Sequence, residues 1–160
     1  MRQFAALALF LSLNAFAQDA PQPVARWTLL DQFDKAYTLD DQAQVLLIAR
    51  SMSAAKMVNA ALEEGPEGYL EQRHVVYVAD IEKMPSLVKM VAVPAMRSAK
   101  YRILLDRDAR VASAYDGDRD RDTVQWLTLK NGAVVRQERF SDGEQLKQAI
   151  AKLGSQSASR

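Results

Sequence analysis

Two short apolar runs, Gln44–Ala49 (QVLLIA) and His74–Ala79 (HVVYVA), restrict this chain to a small set of folds. An apolar run without alternation is the pattern of a strand covered on both faces, as the strands of a parallel sheet are. Between them, Ser51 is placed to cap a helix over Met52–Glu64, with Met57, Ala61 and Leu62 among its inward positions. Gly65-Pro66 stops that helix. Strand, helix, strand in this order predicts a parallel pair joined by a crossover, with helices on both faces of the sheet.

The flanking segments extend the pattern. Arg26–Leu30 alternates like a strand, Asp31–Lys35 turns, and Ala36–Leu39 resumes. Ser86 to about Lys100 is helical in pattern, although Pro94 must kink or end it. Tyr101–Leu105 and Arg110–Tyr115 read as two short extended pieces about the turn Asp106–Ala109. Val124–Leu129 and Ala133–Phe140 read as a hairpin, in which Asn131-Gly132 supplies the positive φ angles of the turn. Ser141-Asp142-Gly143-Glu144 reads as a capping box that opens a last helix ending at Leu153. Gly154–Arg160 is expected to be a disordered tail. There are no internal repeats.

The N-terminus carries an address. Met1-Arg2-Gln3 is a short positive start, Phe4–Leu13 is apolar, and Asn14-Ala15-Phe16-Ala17 places small residues at −3 and −1. This is the three-part pattern of a secretory leader, expected over 1–17. The apolar run is about half of what a bilayer span requires. No cysteine follows it to carry a lipid anchor. The expectation is therefore a periplasmic, soluble protein with no membrane span after cleavage, a linker over 18–25 and one domain over 26–153.

The 143 residues after Ala17 suffice to bury a core without staples, as they must: the chain contains no cysteine. Removing the leader takes away Arg2 and leaves basic and acidic residues equal at 20 each. That balance provides no global field for nucleic acid or an anionic membrane. A single histidine and no cysteine make a structural zinc site implausible. No cofactor is implied.

Three segments carry a resemblance. Trp27–Leu39 (WTLLDQFDKAYTL) resembles the opening hairpin of the peroxiredoxin and TlpA-type branch of the thioredoxin superfamily. Arg102–Tyr115 (RILLDRDARVASAY) resembles the segment after that branch's second helix, and Gln125–Val135 (QWLTLKNGAVV) its late hairpin. The likeness covers roughly residues 26 to 153, and a narrower one connects the chain to small exported YtfJ-type proteins. The resemblance implies an α/β fold, a thioredoxin-like three-layer α/β/α sandwich with a mixed central sheet and an N-terminal β-hairpin extension.

The departure from that family bears most on function. Its redox Cys-x-x-Cys opens the first helix, where this chain has Met52-Ser53-Ala54-Ala55 followed by Lys56-Met57. The family's proline ahead of the fourth strand aligns with Thr123-Val124 and is missing. Disulfide exchange and thiol peroxidase chemistry require a thiolate, which a thioether cannot replace. The expectation is a cysteine-less, non-catalytic binding module holding an exported protein or peptide. The superfamily groove would be lined here by Met52, Ser53, Ala54, Ala55, Lys56, Thr123, Val124 and Gln125.

Other chemistry competes with plainer structural roles at several residues. Ser51 and Ser53 lie where a helix start could hold a small anion, but helix capping is the usual use of serine there. A serine nucleophile needs a base, and His74 begins a strand expected at the opposite end of the sheet. Asp116, Asp118, Asp120 and Asp122 could hold Ca²⁺ through hard oxygens. Arg119 and Arg121 neutralise half that charge, and Leu129 stands where an EF-hand register needs Glu. Met84, Met90 and Met96 are spaced by six residues, which puts them on different faces of a helix and favours packing over Cu(I) binding. The alternative to a protein-binding module is thus a ligand- or metal-binding protein or a non-redox enzyme using the Ser51/Ser53 helix start or the Asp116–Asp122 loop.

Overall fold

The computed structural model describes residues 26–116 and 119–157. Seven strands form one sheet: β1 (Thr28–Asp31), β2 (Ala36–Thr38), β3 (Val45–Ala49), β4 (Val75–Asp80), β5 (Leu104–Asp106), β6 (Val124–Lys130) and β7 (Ala133–Phe140), in spatial order β2-β1-β5-β4-β3-β6-β7. The four helices are α1 (Met52–Leu62), α2 (Ser86–Met96), α3 (Arg110–Asp116) and α4 (Gly143–Ser157). The two apolar runs lie at the centre as expected, with β3 parallel to β4 from Val45↔Val75 to Ala49↔Ala79. β5 continues the parallel set beyond β4, and antiparallel β1 and β6 flank the three.

Pleating divides the core in two. Val45, Leu47 and Ala49 of β3 join Ala54 and Val58 of α1 and Leu146 and Ile150 of α4 in one buried cluster. Leu46 and Ile48 point the other way, into a second cluster with Val111 and Ala112 of α3. Apolar side chains on both faces of β3 explain why its sequence does not alternate. The Asn-Gly turn behaves as its sequence predicts: Asn131 has φ 51° and Gly132 φ 77°.

Three expectations are corrected. Arg110–Tyr115 is not extended but forms most of α3. The Asp106 carboxylate makes the helix, accepting hydrogen bonds from the amides of Arg110 at 3.0 Å, Val111 at 2.9 Å and Ala112 at 2.8 Å. It satisfies the N–H groups that a helix start leaves without partners. The cap of α4 falls one residue later than expected, on Asp142, whose side chain accepts from the Gln145 amide at 2.8 Å. That helix also runs to Ser157, past the point where a tail was expected to begin. Pro94 lies inside α2, which continues to Met96.

Candidate functional site

In-register parallel strands bring their C-terminal ends together, and here each buried run ends on a charge. Arg50 follows β3 and Asp80 closes β4, and the Arg50 Nε donates to Asp80 Oδ2 at 2.9 Å. Their side chains are 6% and 0% exposed. The other Asp80 oxygen accepts from the Glu82 amide at 3.0 Å. Arg121, from the loop before β6, approaches Asp80 Oδ2 to 3.8 Å and donates to the Arg50 carbonyl at 2.7 Å. A buried pair of this kind is retained only where geometry and further hydrogen bonds offset desolvation, and these contacts provide them.

Beside this pair α1 begins. Ser51 is its N-cap, accepting from the Ala54 amide at 3.1 Å. Its hydroxyl lies 3.0 Å from that of Ser53, which donates to Asp122 Oδ1 at 2.7 Å. Hydrogen bonds from Ser53 first, then Ser51, together with the charge of Arg121, hold the Asp122 carboxyl below the usual aspartate range. A carboxylate so stabilised is a weak base, so the Ser53–Asp122 pair is poorly suited to activate a serine. His74 stands at the other end of the sheet, its carbonyl accepting from the Gln44 and Val45 amides. The imidazole cannot serve the α1 start.

The strand ends also floor a cavity of about 460 Å³ whose roof is α2. Val88, Ala92 and Met96, one helical stripe at i, i+4 and i+8, line it from above, and Met52, Ala55 and Met84 line it from the side. Although α2 is mostly apolar, none of its residues is fully buried. On its other side Leu87, Met90 and Val91 are 79%, 72% and 73% exposed, and Met52 at the α1 start is 51% exposed. Exposed apolar residues grouped on one helix face, as Leu87, Met90 and Val91 are, mark an interaction surface more often than chance.

The expected groove residues divide. Met52, Ser53 and Lys56 are exposed, and Ala55 and Thr123 are half-buried. Ala54, Val124 and Gln125 are buried in the body of the fold, where no partner can reach them, so they are corrected here from groove to interior. Val124 packs into the cluster with α1 and α4, and Gln125, next along the strand and so on the opposite face, is 2% exposed.

Of the acidic loop, Asp118 and the side chain of Asp116 lie outside the described residues. Asp120 has φ 41° and its carbonyl accepts from the Thr123 amide, while Asp122 is held by Ser53. Among the described residues no three His, Asp or Glu side chains form a cluster able to hold a metal ion. Met84 and Met96 pack at the core margin and Met90 faces outward.

Sequence reasoning passed over Arg50 and the outward face of α2. The signal for the first was present: two buried runs ending in opposite charges, which parallel register must bring together.

The architecture is that of a protein of thioredoxin-like fold, in a chain that contains no cysteine. No family model matches the sequence, and no curated protein matches it. Solved structures do. A candidate protein disulfide isomerase from Bacteroides thetaiotaomicron superposes with TM-score 0.57 at 16% identity, over 84% of this chain and 87% of that one. The peroxidoxin BcpB from Mycobacterium tuberculosis gives 0.55 at 14% identity, over 84% and 96%. StoA from Bacillus subtilis gives 0.52 at 14% identity, over 81% and 98%. At such identities the likeness is one of fold. No helix among the described residues is long and apolar enough to cross a membrane.

Proposed function

We propose that this is a periplasmic, non-catalytic thioredoxin-like module that holds an exported protein or peptide at the corner where its structural neighbours' fold carries redox chemistry. The observation that carries the reading is exposed apolar surface on the elements that frame this corner: Met52 at the start of α1, and Leu87, Met90 and Val91 on the outer face of α2. With no cysteine in the chain, thiol exchange and thiol peroxidase chemistry have no nucleophile. The fold's surface is then left to bind without reacting. The leader pattern over 1–17 supports the compartment.

The test is crosslinking in intact cells followed by capture through a C-terminal tag, comparing the parent protein with Met52→Asp and Val91→Asp. Both positions are exposed, so both variants should keep the parent melting temperature while losing the same captured partner. Equal capture by parent and variants would overturn the binding surface. N-terminal sequencing of the periplasmic fraction should begin at Gln18, and a protein found only in the cytoplasm would overturn the address.

A further inference from the structure

The two rims of the sheet differ. At one end of the spatial order β2 is three residues long, and at the other β7 is eight, with β6 as its neighbour. A strand at the end of a sheet offers a row of backbone N–H and C=O groups on its outer side. Proteins keep such rims from pairing by making them short, or by placing proline, lysine or a bulge there. β2 is short, whereas β7 has neither proline nor lysine. The irregularity in its register falls between Thr128 and Leu129, near the turn. From Arg136↔Thr128 to Phe140↔Val124 the strand follows β6 without a break.

The charges on that stretch select the strand that would pair with it. Arg136 and Glu138 are two apart, so they share a face, and they meet at 2.8 Å with side chains 69% and 36% exposed. Between them Gln137 is exposed on the other face. A second β7 laid antiparallel about a two-fold axis perpendicular to the sheet must be centred on one residue. Centred on Arg136, Glu138 or Arg139, it sets like charges opposite each other, which destabilises a strand pair. Centred on Gln137, it sets Arg136 against Glu138 of the second copy and Glu138 against Arg136 of the second copy. Gln137 then faces its own counterpart, and an amide both donates and accepts. Four charges of alternating sign surround the axis, so each intrastrand pair is kept and each ion gains a second neighbour. Pairs this exposed contribute little affinity. They fix the register, while main-chain hydrogen bonds hold an added strand in place.

We infer that a second copy of this chain docks on β7, pairing Arg136–Glu138 with its own counterpart about Gln137 and joining two seven-stranded sheets into one. This interface lies on a different element from the α2 surface and does not depend on the partner proposed there.

Sedimentation of the purified protein over a range of concentrations should show a monomer–dimer equilibrium. Arg136→Glu and Glu138→Arg, both at solvent-facing positions, should each keep the parent melting temperature. Each should weaken self-association at least about tenfold, because like charges then oppose across the axis. Mixed together, the two variants should restore a dimer, since each finds the opposite charges in the same register. Val91→Asp should leave the dimer intact. A monomer at every concentration, a dimer unmoved by either charge reversal, or a mixture that stays monomeric overturns the interface. Loss of the dimer in Val91→Asp would also overturn it, by seating the second copy on α2. Should a variant fail to fold, amide exchange along Arg136–Glu138 of the unaltered protein still decides: it should slow as concentration rises, and constant exchange overturns the pairing. A monomer that still captures its partner sinks this inference alone, and a dimer that captures nothing sinks the proposed function alone.

Discussion

Arg50 and Asp80 occupy matching places at the ends of adjacent parallel strands, and their side chains meet in the interior at 2.9 Å. Neither is tied to its own strand alone: Asp80 also accepts from the Glu82 amide, and Arg50 reaches Ser113 of α3 at 3.4 Å. The pair thus ties the ends of β3 and β4 to α3 beside the candidate site.

Arg50→Ala should destabilise the fold by about 3–5 kcal/mol, because it strands a carboxylate in the interior. Replacing both partners by apolar residues, Arg50→Met with Asp80→Leu, should cost distinctly less. Urea denaturation of the two variants measures the difference. A single substitution costing under about 1 kcal/mol, the range of surface pairs, would show that the pair is not structural.

Asp106→Ala should remove the acceptor of three amides at the start of α3 at once. Leaving buried N–H groups without partners costs about 1–3 kcal/mol each in the worst case, so a loss of at least about 2 kcal/mol is expected. Hydrogen exchange should show the Val111 and Ala112 amides losing protection first. Protection unchanged at those two positions would contradict the capping role.

The Ser53–Asp122 contact makes a pH prediction. The Asp122 pKa is lowered in the folded protein from its ordinary value of 3.8, mainly by the Ser53 hydroxyl. A depressed carboxylate contributes stability that is present above the unfolded pKa and lost as pH falls through the folded one. Ser53→Ala should therefore move the Asp122 carboxyl resonance, followed by carbon NMR, to titrate closer to 3.8. An unmoved titration would show that the hydrogen bond does not set the charge.

Met52→Cys combined with Ala55→Cys tests whether the start of α1 can support a reactive thiol pair. The two positions lie three apart in the first turns of α1, where free N–H groups and the helix dipole stabilise a thiolate. The thiol at position 52 should ionise below the ordinary value of about 8.5 and close a disulfide with position 55 on mild oxidation. Alkylation rate against pH measures the first and thiol counting the second. Ordinary ionisation with no disulfide would mean that this helix start does not present the geometry a reactive thiol pair needs.

Much of the fold is legible in the chain. The unalternating runs at Gln44–Ala49 and His74–Ala79, the Asn131-Gly132 turn and the Ser51 cap each state their structure through local chemistry: burial on both faces, positive φ, a hydroxyl acceptor. The α3 segment is misread for an equally physical reason. Arg110–Tyr115 is short and mixes apolar with polar residues, and the group that makes it helical is the carboxylate of Asp106, which ends the preceding strand. In a linear reading that residue belongs to a turn.

By itself the sequence determined the two doubly covered strands, the turn chemistry and the absence of any thiol, because each rests on residues adjacent in the chain. Only the tertiary structure decided which of the expected groove residues are reachable. Val124 and Gln125 are hidden because other elements cover both faces of β6 at its start, and that cover comes from segments distant in the chain. The same holds for the Arg50–Asp80 pair and for the cavity under α2. Both depend on how far one element stands from another, a distance set by the packing of the whole.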